Sequence, residues 1–343
     1  MLNTTRYSRQ ILFAPIGEKG QRQLQQSRVA IAGLGALGTA LANHMVRSGV
    51  GYVRLIDRDF VEESNLQRQM LYDETDAREG LPKAVAAKQK LQAVNSEVTV
   101  EAHVADIHAD NAEALLTDVD LILDGTDNFG IRYLINDVSL KHAIPWIYGG
   151  AVSSRGMTHT FLPGKTPCLR CLFPQPPEPG SAETCDTAGV IGPIVQIVAS
   201  LQATEALKLL TGNATAGHGK MRHMDIWYNH DLTMDVSGKR DPQCPACVQR
   251  KWEYLDPRHN REGAVSLCGR NTIQISPVQP RQLDFSRLSE RLKAVGKVEQ
   301  NPFLLRLNVD DHRLVIFPDG RILVQGTDDP STARSLAARY VGL

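Results

Sequence analysis

The sequence predicts an α/β protein: a Rossmann-like, doubly wound and mostly parallel sheet that continues into antiparallel strands with a structural zinc site, followed by a small α+β extension. Three observations carry this expectation. Apolar, β-branched runs alternate with helical segments early in the chain. A glycine-rich turn, GLGALG, sits between the first strand and the first crossover helix. After WIYGG the character changes, and strand-like segments of antiparallel type begin.

The run RVAIAG reads as a strand, TALANHMVRSGV as a helix and YVRLID as the next strand, which together make one βαβ unit. PKAVAAKQKLQAVN suits a helix with Pro82 near its start, and EVTVEAHV and VDLILDGTDN read as further strands. Beyond WIYGG, the segments MTHTFLPG and HMDIWYNHDLTMDVSG are expected as antiparallel strands, with the Pro-rich, irregular FPQPPEPGSAETC between them. The most apolar stretch, Ala188 to Leu210, is interrupted by Gln196, Ser200, Gln202, Thr204, Glu205 and Lys208, and so reads as a buried helix rather than a membrane span. DPRHNREG looks like a linker, which divides the chain into residues 1–257 and a small α+β extension, 258–343. That extension offers strand TIQIS, helix DFSRLSERLKAVG, strands FLLRLNV, RLVIFP and ILVQG, and helix STARSLAARY.

A chain of 343 residues exceeds what one core usually fills, in keeping with one large domain and one small one. Acidic and basic side chains cancel at 38 each, which removes any whole-chain electrostatic reason to expect nucleic acid or an anionic membrane as partner. The N-terminal MLNTTRYSRQ is polar and no apolar run of signal-peptide length follows it, so a cytoplasmic protein is expected. Six cysteines include two CxxC pairs, a pattern that in a reducing compartment points to metal or redox work rather than to disulfides.

Gly33, Gly35 and Gly38 form GxGxxG directly after a strand and at the start of a helix, where backbone amides can approach a phosphate and the helix dipole favours its charge. Asp57 closes the next strand, where a carboxylate can accept hydrogen bonds from ribose hydroxyls. This pair does not choose between a dinucleotide and ATP. VEESNLQRQMLY then supplies Ser64, Asn65, Arg68 and Gln69, and Lys83 follows on a helix start. Each alone also fits a solvated surface; as a set they suit the charge neutralisation that expelling pyrophosphate from ATP demands. In DGTDN, Asp127 and Asn128 close another strand. Three roles stay open there: holding Mg²⁺ on phosphates, positioning an attacking carboxylate, or capping a helix.

Cys168 and Cys171 (CLRC) with Cys244 and Cys247 (CPAC) give four thiolates in two clips, a set that closes a tetrahedral zinc site and leaves no open catalytic position. Neither pair opens a helix within a βαβ pattern, as a thioredoxin-like redox motif would. Cys185 stands alone before the long apolar helix, as a candidate nucleophile or as a passive small side chain. Cys268, in SLCGR, reads as a buried hydrophobe of the extension.

Taken in order, RYSRQI, GLGALG, IDRDFVEESNLQRQ, PKAVAA, DGTDN, CLRC, CDTAGV, LQATEALKLL and CPAC resemble the ThiF/MoeB family across residues 6 to 250. These are bacterial adenylyltransferases, related to ubiquitin-activating enzymes, that activate ubiquitin-like sulfur-carrier proteins. The resemblance implies that Gly33 and Gly35 line ATP, Asp57 holds its ribose, and Asn65, Arg68 and Lys83 contact the phosphates. It implies that Asp127 is essential through Mg²⁺, that Arg9 of RYSRQ reaches the partner protomer's site in a homodimer, and that the four paired cysteines hold structural zinc. Many relatives read GLGGLG where this chain has Ala36, a methyl group that would tighten the site slightly. Cys185 matches a loop cysteine that links covalently to the carrier or relays sulfur in some relatives and is dispensable in others.

DTAGVIGPIVQIVASLQATEALKLLTG, DIWYNH and the tail motifs SLCGR, FPDGR and VQGT look most like the tailed thiazole-biosynthesis branch, whose partner is the thiamin sulfur carrier. The molybdopterin-synthase branch shares almost every catalytic motif. No rhodanese-like domain is evident in the tail, so a separate sulfur donor protein is expected. Two readings of other classes compete: an NAD-dependent oxidoreductase on the same glycine fingerprint, and a nucleotide-gated binding module that does not turn over ATP.

Overall fold

The computed structural model describes residues 2–177, 183–214, 219–257, 264–267, 271–277 and 282–342. Cys268, the centre of the Pro-rich loop and most of the DPRHNREG segment lie outside the described residues. The chain divides into two compact units, Met1–Asn260 and Arg261–Leu343.

The first unit is built on eight strands: β1 (Arg28–Ala32), β2 (Tyr52–Asp57), β3 (Thr99–Val104), β4 (Leu121–Asp124), β5 (Trp146–Val152), β6 (Arg155–Phe161), β7 (Lys220–Asp225) and β8 (His230–Asp235). They lie in the order β3-β2-β1-β4-β5-β6-β7-β8. The first five are parallel, and β6, β7 and β8 add antiparallel pairs. A strand covered on both faces is apolar along nearly all its length, and β1 and β4 are buried from Val29 to Ala32 and from Leu121 to Asp124, the last an ion-paired carboxylate. One face carries helices Ala36–Ser48, Lys83–Val94 and Gly192–Leu210, which share a core with Val29, Ile31 and Leu55. The other carries Ala112–Leu116 and Phe129–His142, packed on Ala30, Ile56 and Trp146.

The strand order reverses direction between β1 and β4, and the crevice beyond the carboxyl ends at such a switch point is where open α/β sheets take ligands. Helix Ala36–Ser48 ends at Gly49 with φ +82°, and a side chain there would meet the ring of Tyr7 at 2.5 Å. Tyr7 therefore pins the N-terminal segment to the amino-end side of the sheet. In the apolar stretch from Ala188, which itself ends a one-turn helix, the long helix begins only at Gly192. Gly189 to Ile191 pair with the β5–β6 turn, with Ile191 N–H donating to the Ser153 carbonyl. Among the described residues, no helix is long and apolar enough to cross a membrane.

The second unit holds β9 (Ala264–Leu267), β10 (Thr272–Ile275), β11 (Lys297–Gln300), β12 (Leu305–Val309), β13 (His312–Ile316) and β14 (Ile322–Gln325). They form an antiparallel sheet in the order β11-β12-β13-β14-β10-β9. Helices Phe285–Leu292 and Pro330–Tyr340 pack on it through Leu288, Leu292, Ala333 and Ala337. Asp284 and Asp329 cap these helices by accepting from Ser286 N–H at 3.0 Å and Thr332 N–H at 2.9 Å.

Candidate functional site

The glycine turn lies at the carboxyl end of β1. Gly33 has φ +84° and donates its N–H to the Ile56 carbonyl at 2.8 Å. A Cβ on Gly38 would lie 1.8 Å from the Gly33 carbonyl oxygen, so the helix packs directly on the turn and only glycine fits. Gly35 differs: a Cβ there meets nothing within 4 Å. It faces the open side, where the first amides of the helix, beginning at Ala36, are left to bind an anion. Asp57 closes β2 and is almost wholly buried. Its two oxygens accept from Leu34 N–H at 2.6 Å and Asp59 N–H at 2.7 Å. Burial pushes its pKa up, opposed by the Lys83 charge and these two amides.

The polar segment after β2 folds back beside this turn. Asn65 is buried at the end of a single 3-10 turn and accepts from Glu62 N–H at 3.1 Å. Exposed Ser64 presents its carbonyl to Arg68 Nη1 at 3.0 Å. Gln69 is buried, and its Oε1 has no hydrogen-bond partner. Lys83 opens its helix with a buried side chain whose Nζ lies 3.7 Å from Asp59 Oδ2. The Tyr72 hydroxyl lies 3.0 Å from the Leu34 carbonyl and 3.2 Å from that of Lys83, so it ties the turn to the lysine helix.

In DGTDN the capping role goes to Asn128, which accepts from Gly130 N–H at 2.7 Å at the start of Phe129–His142. Asp127 is left exposed on the carboxyl edge. Beneath it lies a buried ion pair that sequence reasoning missed. Asp124 accepts from Arg132 Nε at 2.9 Å, and the Arg132 Nη2 donates to the Thr126 and Gly149 carbonyls at 2.8 and 2.9 Å. Asp124 also accepts from Thr126 N–H at 2.9 Å, which sets the turn that presents Asp127. The only signal was an Asp at a strand end followed by an Arg on the next helix. Arg58 was missed too. Its guanidinium lies 3.0 Å from Asp106 in the loop after β3, and although burial lowers its pKa, Asp106, Asp59, Asp127 and Asp57 together raise it.

Arg9 is exposed on the short helix Ser8–Ile11. Its neighbour Gln10 donates to the Ser48 carbonyl at 2.9 Å, and the Tyr7 hydroxyl accepts from Asn95 at 2.9 Å. Ser48 ends the helix that starts beside the glycine turn, and thirteen residues of helix span about 20 Å. Arg9 therefore stands on the far edge of the sheet from its own glycine turn.

The four paired cysteines converge, with all sulfurs within 4.8 Å of one another. Cys168–Cys171, Cys168–Cys244 and Cys171–Cys247 sulfurs are 3.8, 3.6 and 3.5 Å apart. Zinc–sulfur bonds of about 2.3 Å in a tetrahedron place sulfurs about 3.8 Å apart, so the cluster has the size and chemistry of a closed zinc shell. Burial raises the Cys168 thiol and pushes Cys247 up to about 11, whereas at Cys244 burial is outweighed by the Cys247 and Ala246 amides, which lower it. Holding Cys168 and Cys247 as thiolates therefore needs a cation beside them. CLRC does open a helix, Leu169–Leu172, but it is one turn long and follows an antiparallel strand. The cluster is braced against the Asp127 helix: Asn136 accepts from Leu169 N–H at 2.9 Å, and Asp137 from Tyr254 N–H at 3.0 Å. Cys185 opens a separate one-turn helix, Cys185–Ala188, and its thiol donates to the Ala151 carbonyl at the end of β5 at 3.3 Å. The structure thus gathers Gly33, Gly35, Ala36, Gly38, Asp57, Ser64, Asn65, Arg68 and Lys83 on elements at one edge, with Asp127 and Asn128 at the end of the adjacent β4.

Residues 7–246 match the sequence profile of the ThiF family. The chain is 44% identical over 340 residues to the sulfur carrier protein ThiS adenylyltransferase of Bacillus subtilis, covering 99% of this chain and 100% of that one. It is 39% identical over 247 residues to the sulfur carrier protein adenylyltransferase of Thermus thermophilus, covering 71% and 90%. Among solved structures it is similar to Escherichia coli MccB with ATP, with a TM-score of 0.62 at 23% identity over 71% of this chain and 75% of that one. That likeness speaks for the fold.

Proposed function

The chain belongs to the ThiF family, and from that premise we propose that it adenylates the C-terminal carboxylate of a ubiquitin-like sulfur carrier, expected to end in Gly-Gly, for thiamin thiazole biosynthesis. The observation that carries this reading is full-length similarity, tail included, to a ThiS adenylyltransferase. The geometry supports the same chemistry. A carboxylate oxygen of the carrier forms a bond to the α-phosphorus of ATP, the bond from that phosphorus to the bridging oxygen breaks, and pyrophosphate leaves.

In this reading the open face at Gly35 and the helix amides after it receive the phosphates. Asp57, with each oxygen already taking one amide, keeps lone pairs for the ribose hydroxyls. Asn65, Arg68 and Lys83 orient the polyphosphate and neutralise charge as pyrophosphate forms. Mg²⁺ beside Asp127 would supply further neutralisation at the phosphates. Arg9 cannot serve its own chain from the opposite edge, so its place supports a homodimer in which each copy lends this residue to the other's site. Zinc is the metal that the four-sulfur shell fits best, and its role is to tie the strand end after β6 to the segment after β8. Cys185 is proposed as the carrier-facing thiol of the loop, and sulfur itself comes from a separate donor protein in the cytosol.

Carrier-dependent ATP–pyrophosphate exchange tests the reading. Exchange that needs both magnesium and the carrier's terminal glycine is expected; its absence with purified protein and carrier at every magnesium concentration would overturn it.

A further inference from the structure

The loops after β2 and β3 carry a chain of alternating charges in which Lys83 is only one member. Asp106 Oδ1 lies 3.0 Å from Arg58 Nη1. Arg58 Nε lies 3.9 Å from Asp59 Oδ1, and the other oxygen of Asp59 lies 3.7 Å from Lys83 Nζ. Asp59 thus stands between two cations, and neither contact has closed to hydrogen-bonding distance. The Lys83 side chain is 4% exposed, while Arg58 and Asp59 are 19% and 17% exposed. Water therefore screens this group of charges weakly.

For Lys83 to reach a phosphate it must turn away from Asp59. A poorly solvated carboxylate that loses its cation is costly, and that cost would oppose nucleotide binding. Arg58 is already tethered by Asp106, and closing on Asp59 requires a shift of about 1 Å to reach hydrogen-bonding distance. We propose that Arg58 is a positioning residue for nucleotide binding: it takes over the charge of Asp59 and so frees Lys83 for the polyphosphate. The inference rests on the ATP site of the preceding section but not on the identity of the carrier.

Affinity for a non-hydrolysable ATP analogue, measured by calorimetry, is the direct test, with thermal unfolding as the check on folding. Arg58→Gln should weaken binding by at least about tenfold, because the Arg58 charge is then absent when Lys83 turns away from Asp59. Arg58→Lys should bind close to wild type. Adding Asp59→Asn to Arg58→Gln should restore most of the affinity, since the carboxylate paired with Lys83 is then gone and Asp57 stays held by the Leu34 and residue-59 amides. A residue that merely braces the two loops, or that touches the nucleotide itself, would not be rescued by removing Asp59. Unchanged affinity in Arg58→Gln, or a loss that Asp59→Asn leaves in place, would overturn the proposal. Wild type that binds the analogue but shows no carrier-dependent exchange would instead count against the proposed function alone.

Discussion

A methyl group added at Gly38 has nowhere to go: its carbon would lie 1.8 Å from the Gly33 carbonyl oxygen and 2.8 Å from that carbonyl carbon. The helix must retreat by roughly 1 Å or more, yet it carries Leu37, Leu41 and Met45 into a close-packed core. The turn has little room to yield in its place, because a Cβ added on Gly33 would itself lie 2.9 Å from the Gly125 carbonyl oxygen. Overpacking of this kind costs about 1–3 kcal/mol even where neighbours are flexible side chains, and here they are backbone, so Gly38→Ala should lose about 3 kcal/mol or more of stability. Gly35→Ala is the contrasting case, since its methyl group meets no protein atom within 4 Å. It should keep far more of the wild-type stability than Gly38→Ala. The methyl group would stand where the phosphates approach, and about 1–3 kcal/mol of overlap corresponds to roughly 5- to 150-fold weaker ATP binding. Thermal unfolding and calorimetric titration with an ATP analogue separate the two. A Gly38→Ala protein as stable as wild type, or a Gly35→Ala protein that binds ATP undiminished, would refute the division of the turn into a packing glycine and a binding glycine.

Removing the metal should act on stability rather than on the reacting centre: purified protein is expected to carry one zinc per chain, and chelation or Cys244→Ser should lower the melting temperature before it changes ATP affinity in what remains folded. Burial pushes the Asp137 carboxyl up to about 6. A raised acid pKa means that its contribution to stability is complete below pH about 4 and is lost as pH rises through about 6. Asp137→Asn should therefore stabilise the first unit near pH 7.5, by at most about 3 kcal/mol, and not near pH 4, as melting curves at the two pH values would report. If Arg9 acts in trans in the proposed homodimer, Arg9→Ala and Asp127→Ala proteins should each be inactive alone, yet on dissociation and remixing they should recover about a quarter of wild-type exchange activity, because half the pairs would combine the two variants and each of these would hold one complete site. No recovery on remixing would place Arg9 in its own chain's chemistry or outside it.

Much of the first unit is legible in the sequence because its signals are local. β1 and β4 are buried on both faces and read as near-continuous apolar runs, and Gly38 is required by a backbone contact with Gly33, five residues away. The paired cysteines are legible because each CxxC fixes two ligands, and four soft donors leave little else to bind. The short edge strand β11 was not legible. Lys297–Gln300 is mostly exposed and has no alternating apolar face, and only pairing with β12 makes it a strand. β9, only four residues long and also at a sheet edge, escaped for a similar reason. In the site, what escaped were contacts between side chains distant in sequence. The Asp106–Arg58–Asp59–Lys83 chain joins three separate segments, and Arg132 reaches across to the Gly149 carbonyl on β5. The competition between Asp127 and Asn128 for the helix cap was also undecidable from sequence, because either side chain can cap and only the backbone at Asn128 (φ −112°, ψ 122°) makes it the cap.

Intact-mass spectrometry of the carrier after incubation with this protein, ATP and magnesium, with pyrophosphatase added to draw the reaction forward, tests the central claim most directly. The account predicts that the thiamin carrier gains the mass of one adenylyl group at its terminal carboxylate, and that a carrier lacking the last glycine does not. A carrier of unchanged mass while ATP is consumed, or an adenylyl group found on the molybdopterin-synthase subunit in preference to the thiamin carrier, would contradict it.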